Sequence, residues 1–151
     1  MIKAVIFDFD HTLYNRDASY TKMLAPFKEE LFDYLNHDLD DGELLRRMKQ
    51  ADKDGAYPLG WPDVYREKIK QGIFKTVPTY EVYMKCIRTH QPRSITLWDD
   101  TLDTLTALHN KGVLVGMLTN GGVQSQTDKL NNTPLAPYFD KIIISGSLPE
   151  G

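Results

Sequence analysis

Two carboxylates two residues apart, Asp8 and Asp10, stand directly after the apolar run Ala4-Val5-Ile6-Phe7. A short run so rich in β-branched and aromatic residues reads as a strand buried on both faces, the kind found inside a parallel sheet. Residues two apart on a strand share a face, so both acids are expected to project toward one point at the strand's carboxyl end. Open parallel sheets bind ligands at that end. Like charges so close repel, and relief comes from a cation between them or from a proton on one of them. A hard divalent metal is the simplest answer, and Mg2+ suits a site with few carboxylates whose shell a phosphate completes. An Asp-x-Asp after a strand is also an ordinary way to begin a turn, and the pair alone does not separate the two readings.

A second candidate follows another apolar run, Val113 to Leu118, which ends in Thr119-Asn120-Gly121-Gly122 before a predicted helix over Val123 to Leu130. Backbone N–H groups at a glycine-containing helix start, together with the Thr119 hydroxyl, form a cradle for a phosphate. A plain turn is the competing reading. Trp98, Leu102, Leu105 and Leu108 make a helical stripe, with Asp99 or Asp100 to cap its start and Lys111-Gly112 to end it. Strand, crossover helix and strand imply parallel pairing with a right-handed connection. Asp8 and Asp10 are then expected at the same sheet edge as Thr119 and Asn120. Lys141 to Ser145 reads as a third strand.

Residues 15–92 read as helices. Tyr20, Met23, Leu24, Phe27, Leu31 and Leu35 recur at three- and four-residue steps, and Pro26 is expected to split or kink that helix. Asp40 or Asp41 can cap a second helix carrying Leu44, Leu45, Met48 and Ala51, with Gly55 near its end. Tyr57 to Pro62 is loop-like, Pro62 is placed to open a third helix through Val64, Tyr65 and Ile69, and Pro78 to open a fourth through Tyr83 and Ile87. A helical block of this length is too large for an ordinary connection and reads as an inserted domain. The expected architecture is therefore α/β: a core of residues 1–14 and 93–151 interrupted by a helical domain of residues 15–92.

Composition excludes several classes. With 41% hydrophobic and 26% charged residues the chain is globular, and a net charge of -3 supplies no basic stripe for nucleic acid. No run of about 18 apolar residues is present, so no membrane span is predicted. Cys86 is the only cysteine, which suits a reducing cytoplasm.

Val5-Ile6-Phe7-Asp8-Phe9-Asp10-His11-Thr12-Leu13 resembles the first motif of the haloacid dehalogenase (HAD) superfamily of phosphohydrolases, hhhDxDxT, with His11 in place of the usual glycine. Val113 to Gly121 resembles its second motif, an apolar strand ending in Thr or Ser. The resemblance implies a Rossmann-like parallel sheet with an inserted helical cap, and a Mg2+-dependent phosphatase acting on a small phosphorylated metabolite. It implies Asp8 as nucleophile, Asp10 as acid and base, Mg2+ held by Asp8 and Asp10, and the phosphoryl oxygens held by Thr119, Asn120 and Gly121. The acid role requires a neutral Asp10, which the charge of Asp8 is expected to favour by raising its pKa. Dehalogenating members lack an acid at the Asp10 place. A cap brings substrate-selecting side chains, for which Trp61, Tyr57, Tyr65 and Lys68 are candidates; the alternative is that the aromatic residues pack the cap's own core.

The third motif, a lysine, and the fourth, one or two acidic metal ligands, are not found before Gly151. Lys129 and Lys141 are not assigned to the lysine, because each falls before its expected place and suits a solvated surface. The sheet is accordingly expected to be incomplete, with the edge of the first strand open to self-association. The readings that follow are a fragment of a longer phosphatase or, alternatively, a truncated, non-catalytic HAD-like binding module.

Overall fold

The computed structural model describes residues 2–55 and 61–149. The chain divides into two compact units, Met1–Ser19 with Ile95–Gly151, and Tyr20–Ser94.

In the first unit three apolar runs form β1 (Ala4–Phe7), β2 (Leu114–Thr119) and β3 (Lys141–Ile144), all parallel in the order β1-β2-β3. Phe7 pairs with Met117, and Thr119 with Ile144, so Asp8 and Asn120 leave the sheet at one edge. Between β1 and β2 the return to the sheet is made by α5 (Thr101–Asn110), and between β2 and β3 by α6 (Val123–Asn131). Strand order advancing in one direction through crossovers of one hand puts both helices on the same face. That face holds the core: Val115 and Met117 are buried with Phe9, Leu13, Tyr14, Leu105, Leu130 and Leu135. On the other face Ile6 (69% exposed), Leu114 and Leu118 are open. The expectation of a first strand buried on both faces is therefore corrected. Side chains alternate along a strand, β1 lies at the sheet's edge, and helices cover only one side among the described residues.

Helices account for the second unit: the greater part of α1 (Arg16–Glu30), then α2 (Asp41–Gly55), α3 (Trp61–Lys70) and α4 (Tyr80–His90). Tyr20, Met23, Phe27, Leu31 and Leu35 bury one stripe of the chain against Leu44, Met48, Ala51, Ile73, Tyr83 and Ile87. α1 runs through Pro26 without a break. A proline inside a helix costs about 3 kcal/mol, and the full burial of Phe27 and near-full burial of Met23 on either side of it outweigh that loss. Asp40 caps α2, its Oδ1 accepting from the Glu43 N–H at 2.8 Å. Two starts differ from expectation. α3 begins one residue before Pro62, and α4 begins at Tyr80 with Thr79 as its cap, accepting from the Val82 N–H, so Pro78 lies outside the helix. Tyr57 lies outside the described residues.

Candidate active site

Asp8 is the first residue beyond β1 and is exposed. The chain then turns: Phe9 is fully buried, and its carbonyl accepts from the N–H groups of Thr12 and Leu13. His11, inside this turn, has φ +64°, the left-handed region that glycine enters without a Cβ penalty. The turn geometry thus accounts for glycine as the ordinary occupant of this place. The His11 ring leans on Trp98, with centroids 6.0 Å apart.

Asp10 is held on both oxygens. Oδ1 accepts from the Tyr14 hydroxyl and, at 2.6 Å, from the Lys129 ammonium; Oδ2 accepts from Gln126 Nε2 at 2.6 Å. Gln126 is 1% exposed, and the same Nε2 lies 2.6 Å from Thr119 Oγ1 and 2.9 Å from the Asn120 carbonyl. One amide group thereby ties the turn after β1 to the end of β2. Burial raises the Asp10 pKa, but Lys129 above all, with Tyr14 and Gln126, brings it below the usual carboxylate value. This reverses the expected direction: the ammonium in contact with Asp10 favours its charged form.

Lys129 is likewise not on a solvated surface. It is buried, because α6 turns Gln126, Lys129 and Leu130 toward the sheet. Lys141 is exposed, as expected. The signal for Gln126 and Lys129 was present in the helix itself, since Leu130 marks its inner face and Gln126 lies one turn before it.

Thr119 is 1% exposed, with its hydroxyl engaged by Gln126. Asn120 and Gly121 are exposed, and the Gly121 N–H donates to Ser145 Oγ at 3.1 Å. Gly121 has φ +136°, and a Cβ on Gly146 would lie 2.6 Å from the Gly121 carbonyl oxygen. The turns after β2 and β3 are therefore packed backbone to backbone, with the N-terminus of α6 beginning beyond Gly122.

Asp8 and Asp10 fit a hard divalent ion. The Asp8 carboxylate makes no hydrogen bond or ion pair among the described residues, and no described group donates to the Asp10 main-chain carbonyl. These are two free oxygen donors of the kind Mg2+ takes while keeping several waters. The Asp10 side chain is already engaged, so its carbonyl is the donor that remains.

Trp61, Tyr65 and Lys68 belong to the helical unit. Trp61 and Tyr65 pack against the unit's own core; Tyr65 donates to the Pro78 carbonyl and its ring lies 5.0 Å from that of Tyr83. Lys68 is fully buried, its ammonium 5.5 Å from the Tyr20 ring and 5.9 Å from the Phe27 ring. Lys68 thus lies in the core of the helical unit.

Comparison with known proteins matches residues 5–150 to the family described as haloacid dehalogenase-like hydrolase. The chain is 25% identical over 146 residues to glyceraldehyde 3-phosphate phosphatase of Methanocaldococcus jannaschii, covering 96% of this chain and 63% of that protein. It is 30% identical over 162 residues to N-acylneuraminate-9-phosphatase of Mus musculus, covering 99% and 63%. Among solved structures, the HAD-hydrolase YfnB of Bacillus subtilis, bound to magnesium, has a TM-score of 0.67 at 19% identity over 95% of this chain and 64% of that one. L-2-haloacid dehalogenase of Xanthobacter autotrophicus has 0.68 at 17%, over 95% and 57%. The chain thus spans 63% of the length of both curated relatives. A parallel sheet ending in Asp8, Asp10 and Thr119, matched to one family along nearly its whole length, places the chain among the haloacid dehalogenase-like hydrolases.

Proposed function

We propose that the chain carries the nucleophile-bearing part of a Mg2+-dependent phosphatase that hydrolyses a small phosphorylated metabolite through an aspartyl phosphate. The observation that carries this reading is the contrast between the two acids: Asp8 is exposed and engaged by none of the described residues, whereas Asp10 is fixed by Lys129, Gln126 and Tyr14. A nucleophile needs a free carboxylate, and a proton carrier needs a defined position. In the first step an Asp8 oxygen forms a bond to phosphorus as the bond from phosphorus to the leaving oxygen breaks, and Asp10 supplies that oxygen's proton. In the second step water attacks phosphorus, its proton passes to Asp10, and Asp8 and inorganic phosphate are released. Asp10 must therefore gain a proton before the first step and is ready as a base for the second. Asp8 and the Asp10 carbonyl would hold Mg2+, which screens the negative charge met by the Asp8 carboxylate.

Thr119 and the amides around Asn120 and Gly121 are the proposed contacts of the phosphoryl oxygens. The relatives' names specify phosphate esters of small sugar-like compounds, which supports that substrate class. Dehalogenation is the less favoured reading, because Asp10 gives the site a proton carrier. The helical unit, Tyr20–Ser94, is proposed as a cap that selects the substrate.

The test is acid-quenched intact mass spectrometry after incubation with Mg2+ and para-nitrophenyl phosphate. One phosphoryl group is expected on Asp8, absent in Asp8→Asn, while Asp10→Asn slows phosphate release by about 100-fold or more. No adduct, together with phosphate release indifferent to Asp8→Asn, overturns the reading and leaves a binding module.

A further inference from the structure

Within the helical unit, Cys86 and His90 lie four residues apart on α4 and so share one face of that helix. Glu30, the last residue of α1, meets them there: His90 Nε2 and Glu30 Oε2 are 2.6 Å apart. Cys Sγ, His nitrogen and Glu oxygen all lie within 4.8 Å of one another. Together they form a sulfur, nitrogen and oxygen donor set, unlike the all-oxygen set at Asp8 and Asp10.

We propose that Glu30, Cys86 and His90 form a second metal site, for Zn2+ or a cation of similar softness, that ties the end of α1 to α4. Tetrahedral zinc with these ligands has bonds of about 2.0–2.3 Å, which places ligand atoms about 3.3–3.6 Å apart. To admit the ion, His90 and Glu30 separate by about 0.7 Å and any ligand pair near the 4.8 Å limit closes by up to about 1.2 Å, movements open to Glu30 as a flexible side chain at a helix end. Thiolate and imidazole select zinc over magnesium. Three protein ligands leave a fourth position, and exposure supplies it: Cys86 is buried, whereas the side chains of His90 and Glu30 are 19% and 28% exposed. Water completes the shell from the solvent side. On binding, the Cys86 S–H bond breaks, sulfur keeps the electron pair for the metal, and the proton leaves to solvent, as does any proton shared by His90 and Glu30. Without a cation, burial and the Glu30 carboxylate push the thiol up to about 12, so Cys86 is a neutral thiol in the metal-free chain. The ion compensates the charge that makes the thiolate unfavourable there.

Cobalt(II) titration of the metal-stripped chain tests the site. A thiolate-to-cobalt charge-transfer band is expected at one equivalent, and Zn2+ but not Mg2+ abolishes it. Cys86 is the only cysteine, so any such band belongs to it. Asp8→Asn should keep the band, whereas His90→Ala and Glu30→Gln should each weaken Co2+ binding by about 10-fold or more. Absence of the band from the folded chain overturns the proposal and leaves an ion pair beside a core cysteine. A band of unchanged affinity in both His90→Ala and Glu30→Gln overturns it equally, and these two variants decide the matter even where Cys86→Ser does not fold.

Discussion

Lys129 and Asp10 are each other's main electrostatic partners, with side chains 8% and 23% exposed. Removing the cation leaves a largely buried carboxylate without its charge partner, which costs more than the pair contributes over an apolar replacement. Lys129→Met is expected to destabilise the chain by about 2 kcal/mol at pH 7, measured by urea unfolding. The pH dependence follows from the lowered Asp10 pKa. A carboxyl whose pKa is depressed on folding contributes stability above its unfolded value and loses it as pH falls through the folded one. The deficit of Lys129→Met should therefore shrink in acid, once Asp10 is protonated, and carbon NMR should show Asp10 titrating higher in the variant. An Asp10 titration unmoved by Lys129→Met would contradict the pairing. Asp8 and Asp10 themselves were legible from their spacing after an apolar run. For Gln126 and Lys129 the spacing from Leu130 marks the inward face of α6, but nothing local names a turn more than a hundred residues away as their partner.

At the scale of elements, the helical unit is built on a tension between pattern and burial. α3 buries Val64 and, one turn later, Lys68. Spacing places Lys68 on the core face, where the surroundings are the rings of Tyr20 and Phe27. Burial lowers its pKa from the ordinary 10.5 to about 8, with Asp52 acting in the opposite direction. Between those two values the unfolded chain binds a proton that the folded chain does not, so this group makes stability rise with pH across that window. Below about 8 the folded ammonium carries the full desolvation cost. Lys68→Met keeps the volume and removes the charge, and is expected to stabilise the chain by about 1–2 kcal/mol at pH 7, less than the shift alone implies because Asp52 loses a nearby cation. The gain should fade toward pH 10 in thermal unfolding. A variant less stable than the parent at pH 7 would show that the ammonium supports the fold.

For the whole molecule, the decisive feature is a sheet that the described residues cover on one face. Ile6, Leu114 and Leu118 stand open on the other, and β1 is an edge strand among the described residues. An apolar sheet face beside an unpaired edge is a template for association. The chain is expected to self-associate through it, giving masses above 17.3 kDa by light scattering that rise with concentration. Ile6→Lys and Leu118→Lys should move the distribution toward the monomer. A chain that stays monomeric throughout would show that this face is not adhesive.

Local rules sufficed for much of this protein. Short apolar runs rich in β-branched residues identified the strands, three- and four-residue spacing the helices, and two motifs at strand ends the family to which the chain belongs. These features depend on neighbours in the chain, so they are visible without folding it. α1 continues through Pro26 instead of splitting because packing around Phe27 offsets a local penalty, and the exposed face of β1 escaped local rules because burial belongs to the assembled sheet and not to a strand. Tertiary structure alone brought Gln126 and Lys129 to Asp10, and Glu30 to Cys86 and His90. Each is a contact between elements distant in sequence. The charge on Asp10 is decided by which ammonium reaches it through space, and no spacing along the chain carries that information.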